Sequence, residues 1–337
     1  MDYFSTGDVL VVNNTKVLPY KFYGNKETGG KVELVLGNRI AKYSDDKCAD
    51  EGKDCKTRNL FECRIKSVKT RNWGNLFLVK ASEKEKTLQI SERSKKDKNF
   101  KVEDELKDKI VCKVLQKIED KYIIEFVDEN FSDEKLKRYG ELPLPPYIKN
   151  YKGDASKYQT VYAKNEGSIA APTAGLHFTE ELFDKLRKKG VKIVSVCLHV
   201  SFATFNPIKT ERVEDHKMEP EFFSVPKDTA DAINNMDKSK NKLFVVGTTT
   251  LKTLESAADE DGCIKAGSGW SNLFIYPGYR FKVCVDRFIT NFHLPTSTLM
   301  LLVSAFWGRD EILDAYSVAV KEKYRFFSFG DAMLLIK

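Results

Sequence analysis

The stretch GDVLVVNNT at Gly7–Thr15 decides how the rest of the chain is organised. Its centre, Val9–Val12, is a continuous apolar run between turn-forming and polar residues, which is typical of a strand buried on both faces of a sheet. The other buried apolar runs of this kind lie in the C-terminal half of the sequence. We therefore predict that Val9–Val12 belongs to the sheet of that half and that a separate domain is inserted after it.

Helix and strand patterns alternate beyond about residue 150. Thr179 can cap a helix that runs through Lys189 and ends at Gly190, and an apolar strand follows. The later helices are expected at Lys227–Met236, Leu251–Ala258, Thr296–Trp307 and Arg309–Tyr324, and the strands at Val191–Val200, Lys242–Val246, Asp286–Thr290 and Ala332–Ile336. This alternation predicts an α/β fold, an α/β/α layered domain with a largely parallel sheet.

Residues 20–130 have a different pattern. Val32, Leu34 and Leu36 alternate with residues of the other face, and further strands are expected at Phe61–Val68, Leu76–Lys80, Ile110–Ile118 and Tyr122–Val127. The charged segments 42–58 and 83–108 show no helical periodicity and are interpreted as loops. A small antiparallel barrel or sandwich fits this region, and the proline-rich LPLPPY at 142–147 marks its end. We assign residues 1–18 and 150–337 to the α/β domain and residues 19–149 to the inserted domain.

Composition narrows the class of protein. The 337 residues are 42% hydrophobic and 31% charged, which excludes a disordered or collagenous chain, and the formal net charge of +7 favours an anionic partner. Seven cysteines without a CxxC pair or a zinc-type spacing predict neither disulfides nor a structural metal. With no signal peptide and no apolar run long enough to cross a bilayer, we expect a cytoplasmic protein without membrane contact.

Four histidines are the first candidates for acid–base chemistry. His177 lies in APTAGLHFT at Ala171–Thr179, a loop that leads into a helix N-terminus, where backbone N–H groups and an imidazole can face one polar ligand. His216 has carboxylates beside it that can orient its ring, although a solvated charged turn explains the same residues. For His199 and His293 a role as hydrogen-bonded packing residues is the expectation.

The loop VGTTT at Val246–Thr250 joins a predicted strand to a predicted helix. Its N–H groups and hydroxyls can hold a carboxylate or phosphate, and an ordinary strand-to-helix turn capped by threonine is the alternative. The sequence contains no GxGxxG or Walker pattern and no GxSxG motif. From the residues alone we therefore expect a two-domain protein with a polar site in the loops of the α/β domain.

Five strings together carry a resemblance over nearly the whole chain. They are GNKETGGKVE at 24–33, YQTVYA at 158–163 running into SIAAPTAGLHFT at 168–179, VGTTTLKTLE at 246–255, ITNFHLP at 289–295 and FFSFGDAM at 326–333. In this order they resemble the S-adenosylmethionine:tRNA ribosyltransferase-isomerase family of queuosine biosynthesis. The resemblance implies a β-barrel inserted into an α/β domain, with the active site near their junction.

The same resemblance implies a transferase and isomerase that modifies tRNA. Such an enzyme moves and isomerises the ribosyl group of S-adenosylmethionine onto 7-aminomethyl-7-deazaguanine in tRNA, so that adenine and methionine leave and epoxyqueuosine remains. S-adenosylmethionine is then a substrate, and no cofactor is expected. The expected partners are this tRNA and S-adenosylmethionine, and a monomer is favoured.

The resemblance also suggests roles for individual residues. The reaction needs a base beside the sulfonium, an acid for the departing adenine and exclusion of water. His177 is the first candidate for this acid–base work, His216 the second, and Glu33 a carboxylate that acts or holds a ligand. Seven residues are expected to contact the substrates. The polar side chains of Thr173, Thr249, Asn291 and Thr298 bind polar atoms, and Lys31 and Lys252 bind a phosphate or carboxylate. Gly175 is the seventh expected contact.

Three features depart from the family pattern. Several dozen residues usually precede the Gly-Asp strand, so we expect the chain to be N-terminally shortened. Ser201–Phe205 replaces a glycine-rich string, and Glu219 stands where a second histidine is common. The alternative functions are a methyltransferase that uses S-adenosylmethionine to modify RNA and a noncatalytic RNA-binding protein.

Overall fold

The computed structural model describes residues 1–40, 58–67, 74–97, 99–128, 130–145, 147–148, 151, 153–202, 208 and 210–337. The chain folds into two compact units. One comprises Met1–Val17 and Leu144–Lys337, and the other comprises Leu18–Pro143. The boundary after Pro143 therefore lies inside the proline-rich stretch at 142–147.

The strands and helices have the bounds that follow. The strands are β1 (Val9–Asn13), β2 (Thr15–Val17), β3 (Lys21–Lys26), β4 (Lys31–Arg39), β5 (Asn59–Ser67), β6 (Asn75–Val79), β7 (Ile110–Ile118), β8 (Lys121–Phe126), β9 (Asn165–Ser168), β10 (Lys192–Leu198), β11 (Glu221–Val225), β12 (Leu243–Val246), β13 (Gly267–Ser271), β14 (Arg287–Asn291) and β15 (Ala332–Ile336). The helices are α1 (Lys86–Lys96), α2 (Val102–Glu105), α3 (Asp133–Tyr139), α4 (Glu180–Lys188), α5 (Lys227–Asn234), α6 (Thr248–Ala257), α7 (Thr298–Trp307) and α8 (Arg309–Lys321).

The larger unit is built on a seven-stranded sheet with the order β13-β11-β10-β1-β12-β14-β15. The strands β10, β1, β12 and β14 are parallel to one another, whereas β11, β13 and β15 are antiparallel to their neighbours. The predicted membership of Val9–Val12 in this sheet is confirmed, because β1 lies at its centre. The prediction of a largely parallel sheet is confirmed for these four central strands.

Side chains of β1 point alternately to the two faces of the sheet. Val9 and Val11 pack in one core with residues of α5, α6 and α7, and Leu10 and Val12 pack in another with residues of α4. The predicted α/β/α layering is therefore confirmed. Thr179 caps α4 as predicted, because its hydroxyl accepts a hydrogen bond from the Leu182 N–H at 3.1 Å.

The smaller unit is a closed barrel with the strand order β3-β4-β5-β8-β7-β6. Every neighbouring pair in it is antiparallel. Phe22, Leu34 and Leu36 are fully buried inside it, which agrees with the alternation that predicted β4. The sequence pattern left open whether this unit is a barrel or a sandwich, and the structure shows a barrel.

The interpretation of residues 83–108 as a loop is wrong. The segment forms α1 and α2, and Ile90, Val102 and Leu106 pack beside the barrel residues Tyr23 and Phe77. The reason is that α1 buries only Thr87 and Ile90, so its sequence shows no apolar stripe. Contacts distant in sequence stabilise this helix, and local periodicity does not reveal them.

Other differences concern elements that the sequence analysis did not assign. They include the barrel strand β3, the sheet strands β11 and β13 and the small parallel ribbon of β2 with β9. Strand β13 reads GSGWS, a composition with low strand propensity, and it forms through pairing with β11. The segment 42–57, which was interpreted as loop, and Ala203–Phe205 of the departing string lie outside the described residues. None of the described helices is both long and apolar enough to cross a membrane.

Candidate active site

Two asparagines and a glycine-containing loop lie where the central parallel strands end. Asn13 closes β1, Gly247 follows β12 and Asn291 closes β14. The Asn13 amide accepts a hydrogen bond from the Leu198 N–H at 3.1 Å and donates to the Thr249 hydroxyl at 3.0 Å. Ligands usually bind at this edge of an open α/β sheet. Asn13 connects the end of β1 to the end of β10 and to the start of α6.

A cavity of about 520 Å³ opens at this edge of the sheet. This size is typical of sites for small molecules and cofactors. Its walls are mostly apolar, with a few polar groups. The lining residues are Tyr147, Tyr158, Ala170, Ala171, Pro172, Thr173, Ala174, Val200, Gly247, Thr248, Thr249, Thr290, Asn291, Phe292, His293, Leu294, Pro295, Thr296, Ser297, Leu299, Phe327 and Ser328.

Two helices begin at the wall of this cavity. Gly247 has a φ of 86°, a left-handed conformation that favours glycine, and it turns the chain from β12 into α6 at Thr248. Ser297 caps α7 by accepting a hydrogen bond from the Met300 N–H. Because N–H groups in the first turn of a helix lack intrahelical acceptors, both helix ends favour a bound anionic group.

Asn291 connects the cavity to His177. Its amide oxygen accepts a hydrogen bond from the Thr173 hydroxyl at 3.0 Å, and its amide nitrogen lies 3.1 Å from Nε2 of His177. The same nitrogen lies 3.4 Å from the carbonyl oxygen of Asp331. Asn291 is therefore placed to set the orientation of the His177 ring.

His177 itself is exposed and lies beside the cavity without lining it. Partial desolvation of its ring lowers the pKa of His177, although the nearby Asp331 carboxylate acts in the opposite direction. A lowered pKa keeps the imidazole neutral at pH 7, which is the form that accepts a proton. The structure therefore gives this first candidate a geometry that is compatible with a general base at the cavity rim.

His293 is a cavity residue that the sequence analysis did not select. Its Nε2 lies 2.8 Å from the Thr290 hydroxyl, and its backbone N–H donates to the Tyr316 hydroxyl at 2.7 Å. Its Nδ1 has no hydrogen-bond partner in the part of the chain that the structure describes. Burial lowers the pKa of His293 to about 4, so the ring is neutral and offers one nitrogen to a ligand.

This lowered pKa predicts a pH dependence of stability. The unfolded chain binds a proton at His293 near pH 6.5, whereas the folded chain binds it only near pH 4. As the pH falls through this window, the free energy of unfolding should therefore decrease, by on the order of 3 kcal/mol for this residue. In urea titrations at pH 4.5 and 7, the free energy of unfolding of His293→Gln should change less with pH than that of the wild type. Equal slopes in the two proteins would contradict the assignment.

A second, smaller cavity adjoins the first through Thr248, Thr249 and Leu299. Thr298 and Lys252, both predicted ligand contacts, line it. The Lys252 ammonium lies 2.9 Å from the Glu221 carboxylate, and these side chains are only 8% and 3% exposed. The lysine is therefore held in a buried ion pair.

His216 has surroundings different from those that its neighbours in sequence suggested. Its ring lies against Phe274, with 5.1 Å between the ring centroids, and makes no hydrogen bond among the described residues. Phe274 lines the smaller cavity. The expectation that adjacent carboxylates orient the ring is therefore wrong for the described surroundings.

The remaining predicted contacts lie elsewhere. Lys31 and Glu33 are in β4 of the barrel unit, where the Glu33 carboxylate lies 3.4 Å from the Lys21 ammonium. Gly175 is buried and does not line the cavity. A Cβ at this position would overlap the Tyr162 hydroxyl, so the glycine is needed for space.

Glu221, Thr290 and Asn13 are further site residues that sequence reasoning missed. Thr290 and Asn13 lie at the ends of predicted strands, and this position in parallel strands was the available signal. Glu221 belongs to a strand that was not assigned, so nothing pointed to it. In the described ranges no group of three or more His, Cys, Asp or Glu side chains could hold a metal ion, and the absence of a metal stays a prediction.

Comparison with known proteins gives consistent results. The sequence profile of the family described as "Queuosine biosynthesis protein" matches residues 1–335. The "S-adenosylmethionine:tRNA ribosyltransferase-isomerase" of Thermoanaerobacter sp. (strain X514) is 45% identical over 335 residues, covering 99% of this chain and 86% of the relative. The protein of the same name from Clostridium kluyveri (strain NBRC 12016) is 44% identical over 334 residues, with the same coverage. A crystal structure of S-adenosylmethionine tRNA ribosyltransferase from Thermotoga maritima is 29% identical, with a TM-score of 0.44 and coverage of 99% of this chain and 84% of that one.

Proposed function

The chain belongs to the queuosine biosynthesis protein family as an enzyme of the ribosyltransferase-isomerase type, and from this premise we propose its substrates and products. It transfers and isomerises the ribosyl group of S-adenosylmethionine onto 7-aminomethyl-7-deazaguanine in tRNA. The products are epoxyqueuosine in tRNA, adenine and methionine. The reaction takes place in the cytoplasm, where the tRNA substrate is.

The cavity of about 520 Å³ is the observation that carries this proposal. S-adenosylmethionine combines an aromatic base, a ribosyl group, a sulfonium and an amino acid end. Aromatic rings for the base are supplied in the cavity by Tyr147, Tyr158 and Phe327. The carboxylate of the amino acid end is suited to the first turns of α6 and α7, where N–H groups favour an anion.

The chemistry requires a base and an acid close to the sulfonium. The positive sulfur acidifies the neighbouring 5′ carbon, so a neutral imidazole is basic enough to remove its proton. His177 supplies this imidazole, and Asn291 positions it. The departing adenine needs a general acid that is protonated at pH 7. His293 cannot be this acid, because its lowered pKa leaves the ring neutral at that pH. His293 and Thr173 instead hold polar atoms of the ligand.

The other predicted contacts have more limited support. Thr249 lines the cavity directly and keeps its proposed role. Lys252 is paired with Glu221, so a ligand meets its ammonium as part of a pair without net charge. Lys31, Glu33, Gly175, Thr298 and His216 stay as proposals that mutation has to test.

Product analysis tests the function directly. The full chain is incubated with S-adenosylmethionine and tRNA that carries the aminomethyl-deazaguanine, and small molecules and nucleosides are analysed by mass spectrometry. We expect adenine, methionine and the epoxyqueuosine nucleoside, each dependent on both substrates. S-adenosylhomocysteine with a methylated nucleoside would indicate the methyltransferase alternative. Tight tRNA binding without any turnover would indicate a noncatalytic RNA-binding protein.

A further inference from the structure

Three aromatic rings form a row across the edge of the large sheet. His199 follows β10, Phe222 lies in β11 and Trp270 lies in β13. The His199 N–H donates to the Phe222 carbonyl at 2.9 Å, and Phe222 and Trp270 are direct cross-strand partners. We refer to these three residues as the aromatic row.

The rings of the aromatic row contact one another in sequence. His199 stacks on Phe222 with 5.6 Å between ring centroids, and Phe222 meets Trp270 edge to face at 5.7 Å. The next residue of β11, Phe223, packs instead with the core residues Leu198 and Val200. Because side chains alternate along a strand, the row lies on the sheet face opposite this core.

The row runs from an enclosed end to an open end. At the enclosed end, the Thr15 hydroxyl lies 2.8 Å from Nδ1 of His199, and a Cβ on Gly167 would lie 2.6 Å from Nε2 of the same ring. At the open end, Trp270 is 60% exposed, which is unusual for so large an apolar side chain. Within GSGWS its strand neighbours are only glycine and serine, so no large side chain of β13 covers the indole.

Hydrogen bonds link the enclosed end of the aromatic row to the candidate active site. The N–H of Thr15, whose hydroxyl contacts His199, donates to the Asn13 side-chain oxygen at 3.1 Å. The Asn13 amide donates in turn to the hydroxyl of Thr249, which lines the large cavity. An RNA that presents a nucleotide to this cavity has further unpaired nucleotides next to it, and unpaired bases in RNA loops bind by stacking on aromatic side chains. Such stacking tolerates any base, because every base has a π face.

We propose that the aromatic row is a stacking platform for an unpaired base of the RNA substrate, with Trp270 as the ring that contacts the base. This inference rests on the proposed function, since it takes tRNA as the substrate. Phe222 supports the indole from one side, and His199, held by Thr15, acts as a positioning residue at the enclosed end. Burial lowers the pKa of His199 and so keeps it a neutral ring.

A graded series of substitutions at Trp270 tests the proposal on the full chain. Labelled tRNA carrying the aminomethyl-deazaguanine is titrated with each protein, and S-adenosylmethionine binding is measured in parallel by calorimetry. Trp270→Leu, which keeps apolar bulk without a π face, should weaken tRNA binding about tenfold. Trp270→Phe, which keeps a smaller ring, should weaken it by less than about threefold. The matched control is Trp307→Leu, an exposed tryptophan of α7, which should leave tRNA binding unchanged.

Fluorescence supplies an independent measurement. In a Trp73→Phe/Trp307→Phe background Trp270 is the only tryptophan, and stacking should quench its emission when tRNA binds. A duplex RNA without unpaired bases should leave the emission unchanged. Quenching that is equal for duplex and tRNA would overturn the stacking platform.

The outcomes separate this inference from the function on which it rests. Wild-type protein that neither binds tRNA nor releases adenine would overturn both. Wild-type turnover together with unchanged tRNA binding by Trp270→Leu would overturn the aromatic row alone. Equal losses in the leucine and phenylalanine variants would also overturn it, because a contact that ignores the ring is not base stacking.

Discussion

Replacing Lys252 with methionine should lower the free energy of unfolding by about 3–5 kcal/mol. The change leaves the carboxylate of Glu221, which is only 3% exposed, without the ammonium that lies 2.9 Å away. Charge burial of this kind is costly because the interior solvates an ion far less well than water does. Thermal unfolding should show a decrease in melting temperature on the order of 10 °C.

A second variant separates charge from packing. In Lys252→Met/Glu221→Gln neither side chain carries a charge, so a large part of the lost stability should return. The remaining Ser201 N–H, which donates to the Glu221 carboxylate at 2.9 Å, still finds an acceptor in the glutamine oxygen. A single variant as stable as the wild type, or a double variant less stable than the single one, would show that the pair does not stabilise the fold.

Replacing His177 with alanine should decrease the single-turnover rate at saturating ligands by about a hundredfold, with little change in the binding of either ligand. The reason is that a positioned acid or base typically contributes a factor of this size to the chemical step alone. His216→Ala is the comparison, and it should have a much smaller effect because its ring packs on Phe274. A folded His177→Ala protein with a normal rate would return His177 to a structural role, and small equal effects at both positions would make Glu33 the next residue to test.

The positioning role of Asn291 can be measured in the same assay. Its amide nitrogen lies 3.1 Å from Nε2 of His177, so Asn291→Ala should slow the chemical step by releasing the ring. If the asparagine acts through the histidine, the double variant should be hardly slower than His177→Ala. Rate losses that multiply in the double variant would instead show that the two residues act independently.

The sequence by itself determined the type and the order of most elements of the large sheet. Val9–Val12 identified its central strand because a strand buried on both faces is apolar throughout, and Thr179 identified the start of α4 because a cap is a contact between neighbouring residues. These signals come from residues that are near one another in sequence, so they can be recognised without knowledge of the fold. The family followed from long strings in a fixed order, and residues 1–335 match its profile.

Tertiary structure alone decided which polar residues share a site. Asn13 and Asn291 stand at opposite ends of the chain, and they meet at one sheet edge only because β1, β12 and β14 lie side by side. The same holds for Lys252 and its partner Glu221, whose strand β11 has no clear sequence signal. Burial also changes chemistry, since enclosure lowers the pKa of His293 and keeps its ring neutral. The surroundings of a side chain are set by contacts distant in sequence, which periodicity and composition do not record.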